Sequence, residues 1–225
     1  MIFSDKQNDK ETSRVEAFSD GVFAIAITLL ILEIHIPDFE ENTTLLQAVF
    51  HEWHSFLALL VGFFTILICW INHHYMFTFI KQTNSKLLLF NGFKLLVVTI
   101  TPFATALLSK HLETDWIKSA INIYALNFMF MGLAMTGVWH YAYVQGFLKT
   151  SSKEVLSAAS RLYLFSTIFP VAIWIVSFFS ITGTLILSGI MFAIFIFPEK
   201  MVAWQVSRKK QHAKVASSEV SQANP

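Results

Sequence analysis

The chain has 225 residues, of which 55% are hydrophobic and only 14% are charged, and its formal net charge is +1. Soluble domains carry about 25% charged residues, so this composition indicates an integral membrane protein and argues against a soluble enzyme. Cys69 is the only cysteine, which excludes a disulfide framework or a cysteine metal site within one chain. The amino terminus mixes both charge signs and lacks a small-residue cleavage site, so the first apolar segment is expected to remain as a membrane helix.

The apolar segments predict an all-α membrane protein with six transmembrane helices. We expect these helices at about 14–35, 55–79, 87–108, 116–141, 162–180 and 183–198. Ser13 and Glu16 form a capping-box pattern at the start of the first predicted helix. Residues 38–54 are expected to form an external loop. Residues 162–197 would make a helix of about 54 Å, too long for one span, so a break is predicted at Ser180–Thr184. Residues 1–200 thus form one six-helix unit, followed by a basic, disordered cytoplasmic tail at 201–225.

The distribution of Lys and Arg supports six spans over five. With six, most of the 16 basic residues fall on the side of both termini, whereas Lys110 and Lys118 fall on the other side and Lys94 lies inside the third helix. The positive-inside rule then places both termini in the cytoplasm. With five spans, the basic tail would lie outside, opposite Lys149 and Lys153.

The first predicted helix has an aliphatic stripe that is separate from its polar positions. At 100° per residue, Ser19 and Asp20 lie well away from the stripe. Such a stripe can simply pack into a bundle, or several copies of the helix can surround an axis and form a narrow apolar constriction, which gates by dewetting. Spacing alone leaves both interpretations open. The stripe consists of Gly21, Ile25, Thr28, Leu29 and Leu32.

Asp20 needs a partner in the membrane or must be protonated. Arg14 is one candidate partner. The other is the second predicted helix, where four side chains share one face at helical spacing and include the indole N–H of a tryptophan and two imidazoles. These side chains are Trp70, His73, His74 and Phe77.

Two motifs stand in the first two predicted helices. The first helix opens with Arg14-x-x-x-Phe18-Ser19-Asp20 and continues with Gly21-Val-Phe-Ala-Ile-Ala-Ile-Thr28-Leu-Leu, and the second contains Trp70-x-x-His73-x-x-x-Phe77. Together the two motifs resemble the signature of the transmembrane-protein-175 family of potassium channels. Pro102-Phe103, near the end of the third helix, is a weaker match to that signature. The likeness extends over helices 1 to 3 by motif and over the rest by helix count and size, and a single six-helix unit resembles the prokaryotic members.

The resemblance implies a homotetramer in a lipid bilayer, with the first helices lining a central pore and no separate filter loop. It implies that Ile25, Leu29 and Leu32 form the pore constriction and that Thr28 is a polar pore residue involved in selectivity. The structural network supporting the pore would consist of Arg14, Phe18, Ser19, Asp20, Trp70, His73 and Phe77.

We therefore predict a potassium-preferring channel for monovalent cations in the cell membrane, with no enzymatic activity, no cofactor and no nucleic-acid partner. The alternative function is a proton-coupled secondary transporter in which Asp20, His73 and His74 relay protons. Glu33 and the acidic segment 38–41 would lie near an outer mouth, where they could concentrate cations. The pattern His51-Glu52-Trp53-His54 is one residue short of a zincin helix, so metal binding there is disfavoured.

Overall fold

The computed structural model describes residues 2–34, 44–149 and 152–223. For residues 2–10, 48 and 212–223 it describes the backbone but not the side chains. Throughout these ranges the chain is helical apart from short connections, which confirms the predicted all-α class. The helices are α1 (Ile2–Leu29, extended by a 3-10 turn Leu30–Glu33), α2 (Leu45–His51), α3 (Trp53–Phe77), α4 (Ser85–Lys110), α5 (Ile117–Val144), α6 (Lys153–Ser177), α7 (Ile181–Phe195) and α8 (Pro198–Ala223).

Five helical segments are long and apolar enough to cross a bilayer, so the chain is a multi-pass membrane protein. They are Glu11–Glu33, Trp53–Phe77, Ser85–Lys110, Ile117–Val144 and Lys153–Ser177. The helix α7 has 15 residues and is about 22 Å long, which is less than the hydrocarbon thickness of about 30 Å. It is followed by α8 after a bend of 76°, and counting this pair as one span raises the number to six.

Two expectations about the helix boundaries differ from the structure. The Ser13–Glu16 capping box lies in the interior of α1, because the helix continues back to Ile2. The fifth helix, predicted at about 162–180, begins earlier in the structure as α6. Its amino terminus is capped by Ser152, whose hydroxyl accepts a hydrogen bond from the backbone N–H of Val155 at 3.3 Å.

The tail predicted to be disordered at 201–225 lies largely within α8, which the structure describes as a helix from Pro198 to Ala223. The helix α8 starts at Pro198, a residue that favours the first helical position, and continues without an internal glycine or proline. One face of α8 packs on the bundle through Val202, which is 3% exposed. This packing supplies the stability that a polar helix lacks in isolation.

The bundle is tightest where α5 crosses α6. Gly132 lies so close to α6 that a Cβ atom added there would overlap the backbone carbonyl of Ser166. Thr167 donates a hydrogen bond to the carbonyl of Gly132 at 3.0 Å. Small residues let membrane helices approach this closely, and polar hydroxyls then bond across the interface.

By contrast, α1 lies at the edge of the single chain. Only 22% of its most apolar window is buried, against 56% in α5. The buried residues of α1 contact α3 and α4, and include Phe23, Ala26 and Leu30. The opposite face of α1 therefore has no protein partner among the described residues of one chain.

Candidate functional site

The aliphatic stripe predicted for α1 lies on its exposed face. Ile25 is 60% exposed, Leu29 is 42% exposed and Leu32, in the 3-10 turn, is 65% exposed. Phe18 lies on the same side and is 67% exposed. The helix thus presents an apolar surface that the described residues of its own chain do not cover.

Thr28 is the polar residue of this exposed face. Its hydroxyl donates a hydrogen bond to the carbonyl oxygen of Ile25 at 2.9 Å. The hydroxyl hydrogen is used within the helix, so the oxygen presents its lone pairs to the exposed side. A group facing Thr28 would therefore meet an acceptor, which suits a cation.

Ser19 lies on the buried side of α1 and joins it to α4. The side-chain amide of Asn91 donates to the Ser19 hydroxyl at 3.0 Å, and that hydroxyl donates to the carbonyl of Val15 at 2.8 Å. The amide oxygen of Asn91 is buried and has no hydrogen-bond partner within the described part of the chain. The Ser19–Asn91 bond fixes which side of α1 faces α4.

Asp20 joins α1 to α3. The indole N–H of Trp70 donates a hydrogen bond to Oδ1 of Asp20 at 2.8 Å. The indole also stacks on the imidazole of His74, with ring centroids 5.9 Å apart. Of the two partners considered for Asp20, the structure therefore shows the one on α3.

Two members of the predicted network lie apart from it. Arg14 is exposed and makes no hydrogen bond or ion pair with any described side chain; it lines a groove with Phe18 and Asn84. Phe18 points to the exposed face of α1. Within one chain, these two residues do not help to hold α1 against α3 and α4.

His73 makes its contact with a residue that the predicted network did not include. Nδ1 of His73 contacts Nζ of Lys94 in the core, where the two residues are 1% and 0% exposed. Phe77 packs on the imidazole at 4.4 Å, and Phe23 packs on it at 5.4 Å between ring centroids. Nζ of Lys94 also lies 5.7 Å from the Phe23 ring and 5.6 Å from the Phe77 ring, within the range of cation–π attraction.

Lys94 carried a signal in the sequence. A lysine in the middle of a membrane helix is costly to bury, so it marks a functional or structural contact by default. No such signal exists for Phe23, which is one of 23 phenylalanines. Nε2 of His73 is buried without a partner in the described ranges.

The three residues of the alternative proton relay do not form a hydrogen-bonded chain. Asp20 bonds to Trp70, His74 stacks on the same indole, and His73 faces Lys94. In the described part of the chain no hydrogen bond joins Asp20 to either histidine. These side-chain contacts join α1 to α3 and α3 to α4.

Two other sets of residues noted in the sequence are the histidine pattern at 51–54 and the acidic residues at 33 and 38–41. Nε2 of His54, from the pattern His51-Glu52-Trp53-His54, lies at hydrogen-bond distance, 2.9 Å, from Oε1 of Glu113. The described residues contain no group of three or more metal-ligating side chains. Glu33 ends the 3-10 turn after α1. The acidic segment 38–41 lies outside the described residues.

A family profile described as "Endosomal/lysosomal potassium channel TMEM175" matches residues 14–102, from Arg14 in α1 to Pro102 in α4. A potassium channel of Chamaesiphon minutus is 35% identical over 191 residues, which cover 82% of this chain and 94% of that protein. A potassium channel of Streptomyces collinus is 42% identical over 130 residues, covering 57% of this chain and 63% of that one.

The solved structures agree with the sequence comparisons. The crystal structure of a lysosomal potassium-selective channel TMEM175 homolog from Chamaesiphon minutus superposes with a TM-score of 0.75 at 34% identity. The match covers 83% of this chain and 96% of that chain. The family profile includes the segment that carries the stripe and the polar anchors of α1, and the sequence and fold matches cover most of the chain. Together they confirm the resemblance: this chain belongs to the TMEM175 family.

Proposed function

We propose that this protein is a potassium-preferring monovalent cation channel that conducts passively through a pore lined by α1 of four copies. Two relatives that match it are named potassium channels, and one of them spans 82% of the chain. The exposed stripe of α1 is the observation that carries the proposal for this chain. The assembly is a homotetramer in a lipid bilayer, and the permeant ion, rather than a cofactor, is what it binds.

The polar anchors explain why the stripe faces a pore. The Ser19–Asn91 and Asp20–Trp70 bonds fix the rotation of α1 on its own subunit. With that rotation fixed, Ile25, Leu29 and Leu32 point away from α3 and α4. Around a four-fold axis these side chains form stacked apolar rings, and an apolar constriction restricts ions by excluding water.

Dehydration at the apolar rings supplies the barrier. A larger, weakly hydrated cation loses less on shedding its water than a small, strongly hydrated one, so potassium passes more readily than sodium. Thr28 lies in the same arc as Ile25 and presents acceptor lone pairs, which replace part of the lost hydration. The ring of Thr28 therefore contributes to selectivity.

The proposed orientation follows from the charges. Both termini lie in the cytoplasm and the protein sits in the cell membrane, with residues 1–200 forming the six-helix unit. The loop from α3 to α4 and the loop from α5 to α6 support this, because they pair with each other at one end of the bundle. The backbone N–H of Lys81 donates to the carbonyl of Phe147 at 2.9 Å, and that of Lys149 donates to Phe79 at 2.7 Å.

The first experiment records current through the purified full-length protein in a planar bilayer under a potassium gradient, and then with sodium replacing potassium on one side. A channel gives discrete currents that reverse near the potassium equilibrium potential and shift on replacement. Slow, saturable flux driven by a pH gradient, without discrete currents, would instead establish the transporter alternative.

The pore assignment is tested by enlarging the ring formed by Ile25. Ile25→Ala removes three carbons from each subunit and should raise single-channel current or relax selectivity. The matched control is Ile168→Ala on α6, where the isoleucine is similarly exposed at 52% but on a helix that does not touch α1. Equal conductance and selectivity in both variants and the wild type would remove Ile25 from the pore.

A further inference from the structure

A groove between α6, α7 and α8 combines an apolar wall with a basic rim. Its volume is about 640 Å³, and its rim carries arginine and lysine side chains from two different helices. None of the residues assigned to the pore or to the anchors of α1 lines it. Its principal lining residues are Arg161, Phe165, Phe169, Trp204, Arg208 and Lys209.

The basic rim is prearranged and not neutralised. Nε of Arg161 donates to Oε1 of Gln205 at 2.9 Å and Nη1 donates to Oγ of Ser157 at 2.9 Å, which orients the guanidinium and leaves its Nη2 unbonded within the described residues. In the same ranges, no carboxylate lies within ion-pair distance of the three cations. At longer range, Lys209 interacts electrostatically with Glu154 at the amino-terminal end of α6.

The apolar wall begins at the rim and continues into the membrane. Arg161, Phe165 and Phe169 stand four residues apart on α6 and so lie in one row along that helix. Phe165 is 50% exposed although it faces the groove, so the wall is open to an occupant from the bilayer. This row has a cation at its end and two phenyl rings below it. It is therefore complementary to a phospholipid, whose charged headgroup lies above its acyl chains.

The helix α8 has the geometry of a helix at the membrane surface. It is bent by 76° from α7, so when α7 runs across the bilayer, α8 runs close to its plane. Trp204 is 57% exposed, and its indole lies 5.1 Å from the guanidinium carbon of Arg208. Tryptophan beside arginine is typical of the headgroup region.

We propose that this groove binds one anionic phospholipid of the leaflet that faces α8. Its phosphate lies between Arg161 and Arg208, and one acyl chain lies along Phe165 and Phe169. Charge complementarity favours a lipid with a net negative headgroup over a zwitterionic one, because a choline would meet the same three cations. The apolar wall favours a lipid over a free phosphate, which would leave the phenyl rings uncovered.

Lipid binding at this groove is a separate property from the proposed ion conduction, and it is measured without recording currents. Full-length protein in detergent is delipidated, and its affinity for phosphatidylglycerol and for phosphatidylcholine with the same acyl chains is measured by native mass spectrometry. Arg208→Gln and Lys209→Gln are the test variants because their side chains are exposed and make no hydrogen bond that positions α8. Each removed charge should weaken phosphatidylglycerol binding by roughly fivefold, and the double variant by roughly 25-fold.

Lys118→Gln, at the far end of the bundle, is the matched control and should bind phosphatidylglycerol as the wild type does. Binding of phosphatidylcholine should be weaker than that of phosphatidylglycerol and should fall by a smaller factor in each test variant. Wild-type affinity in the double variant, or equal affinity for both lipids, would overturn the proposal. So would competition by glycerol phosphate as strong as that by phosphatidylglycerol, since it would define a simple anion site.

Discussion

Replacing Trp70 by phenylalanine removes the indole N–H that bonds to Asp20 while keeping an aromatic ring against His74. The carboxylate of Asp20 then loses the one hydrogen bond that joins it to α3 at 2.8 Å. A hydrogen bond to a charged group contributes about 1.5–3 kcal/mol in soluble proteins, whereas interhelical hydrogen bonds in membrane proteins average about 0.6 and reach about 1.7 kcal/mol. We therefore expect Trp70→Phe to destabilise the docked α1 by about 1–2 kcal/mol.

The assay measures thermal unfolding of the purified protein in detergent. Unfolding is monitored by the circular dichroism of the helical backbone, because that signal does not rely on the substituted tryptophan. For a chain of this length, 1 kcal/mol shifts Tm by about 2–4 °C, so the expected decrease is about 2–8 °C. Trp116→Phe is the matched control: Trp116 is 66% exposed and its indole makes no hydrogen bond among the described residues. It should change Tm by no more than about 1 °C.

Asp20→Ala provides the second arm of a double-mutant cycle with Trp70→Phe. The methyl group of alanine cannot accept the indole hydrogen, so each single variant removes the same hydrogen bond. A coupling free energy of about 1 kcal/mol is expected because the two side chains act through one bond. Equal Tm values for Trp70→Phe and Trp116→Phe, or full additivity in the cycle, would refute the assignment of this bond as an anchor of α1.

Gly132→Ala should lower Tm by several degrees, because the added methyl group overlaps the Ser166 backbone and overpacking costs about 1–3 kcal/mol. Gly92→Ala, with no atom within 4 Å of the added methyl group, should leave Tm unchanged or raise it, and equal effects would contradict the close crossing of α5 and α6. Thr28→Ala should lower the potassium-to-sodium permeability ratio severalfold, measured from reversal potentials. Thr99→Ala removes an equivalent exposed hydroxyl that bonds to its own helix at 2.8 Å; a similar loss of selectivity there would refute the role of Thr28.

Several features of this protein follow from the order of its residues alone. Uninterrupted apolar segments predict membrane helices because a backbone in hydrocarbon must satisfy its own hydrogen bonds. The 100° step between residues places Ile25, Thr28 and Leu29 on one side of α1 and Ser19 on another, and the structure has the same division. The motifs of the first two predicted helices also suggested the family.

The pairing of the polar groups depended on the tertiary structure. Asp20 bonds to Trp70, 50 residues later in the chain, and Ser19 bonds to Asn91, 72 residues later. The sequence offered Arg14 as an equally good partner for Asp20, and it did not connect His73 to Lys94. The carboxyl-terminal helix was also missed, because its stability comes from packing against α6 that no local pattern encodes. Helical periodicity is a local property of the backbone and can be read from spacing, whereas contacts between helices depend on their rotation and axial offset, which are fixed only when the whole bundle packs.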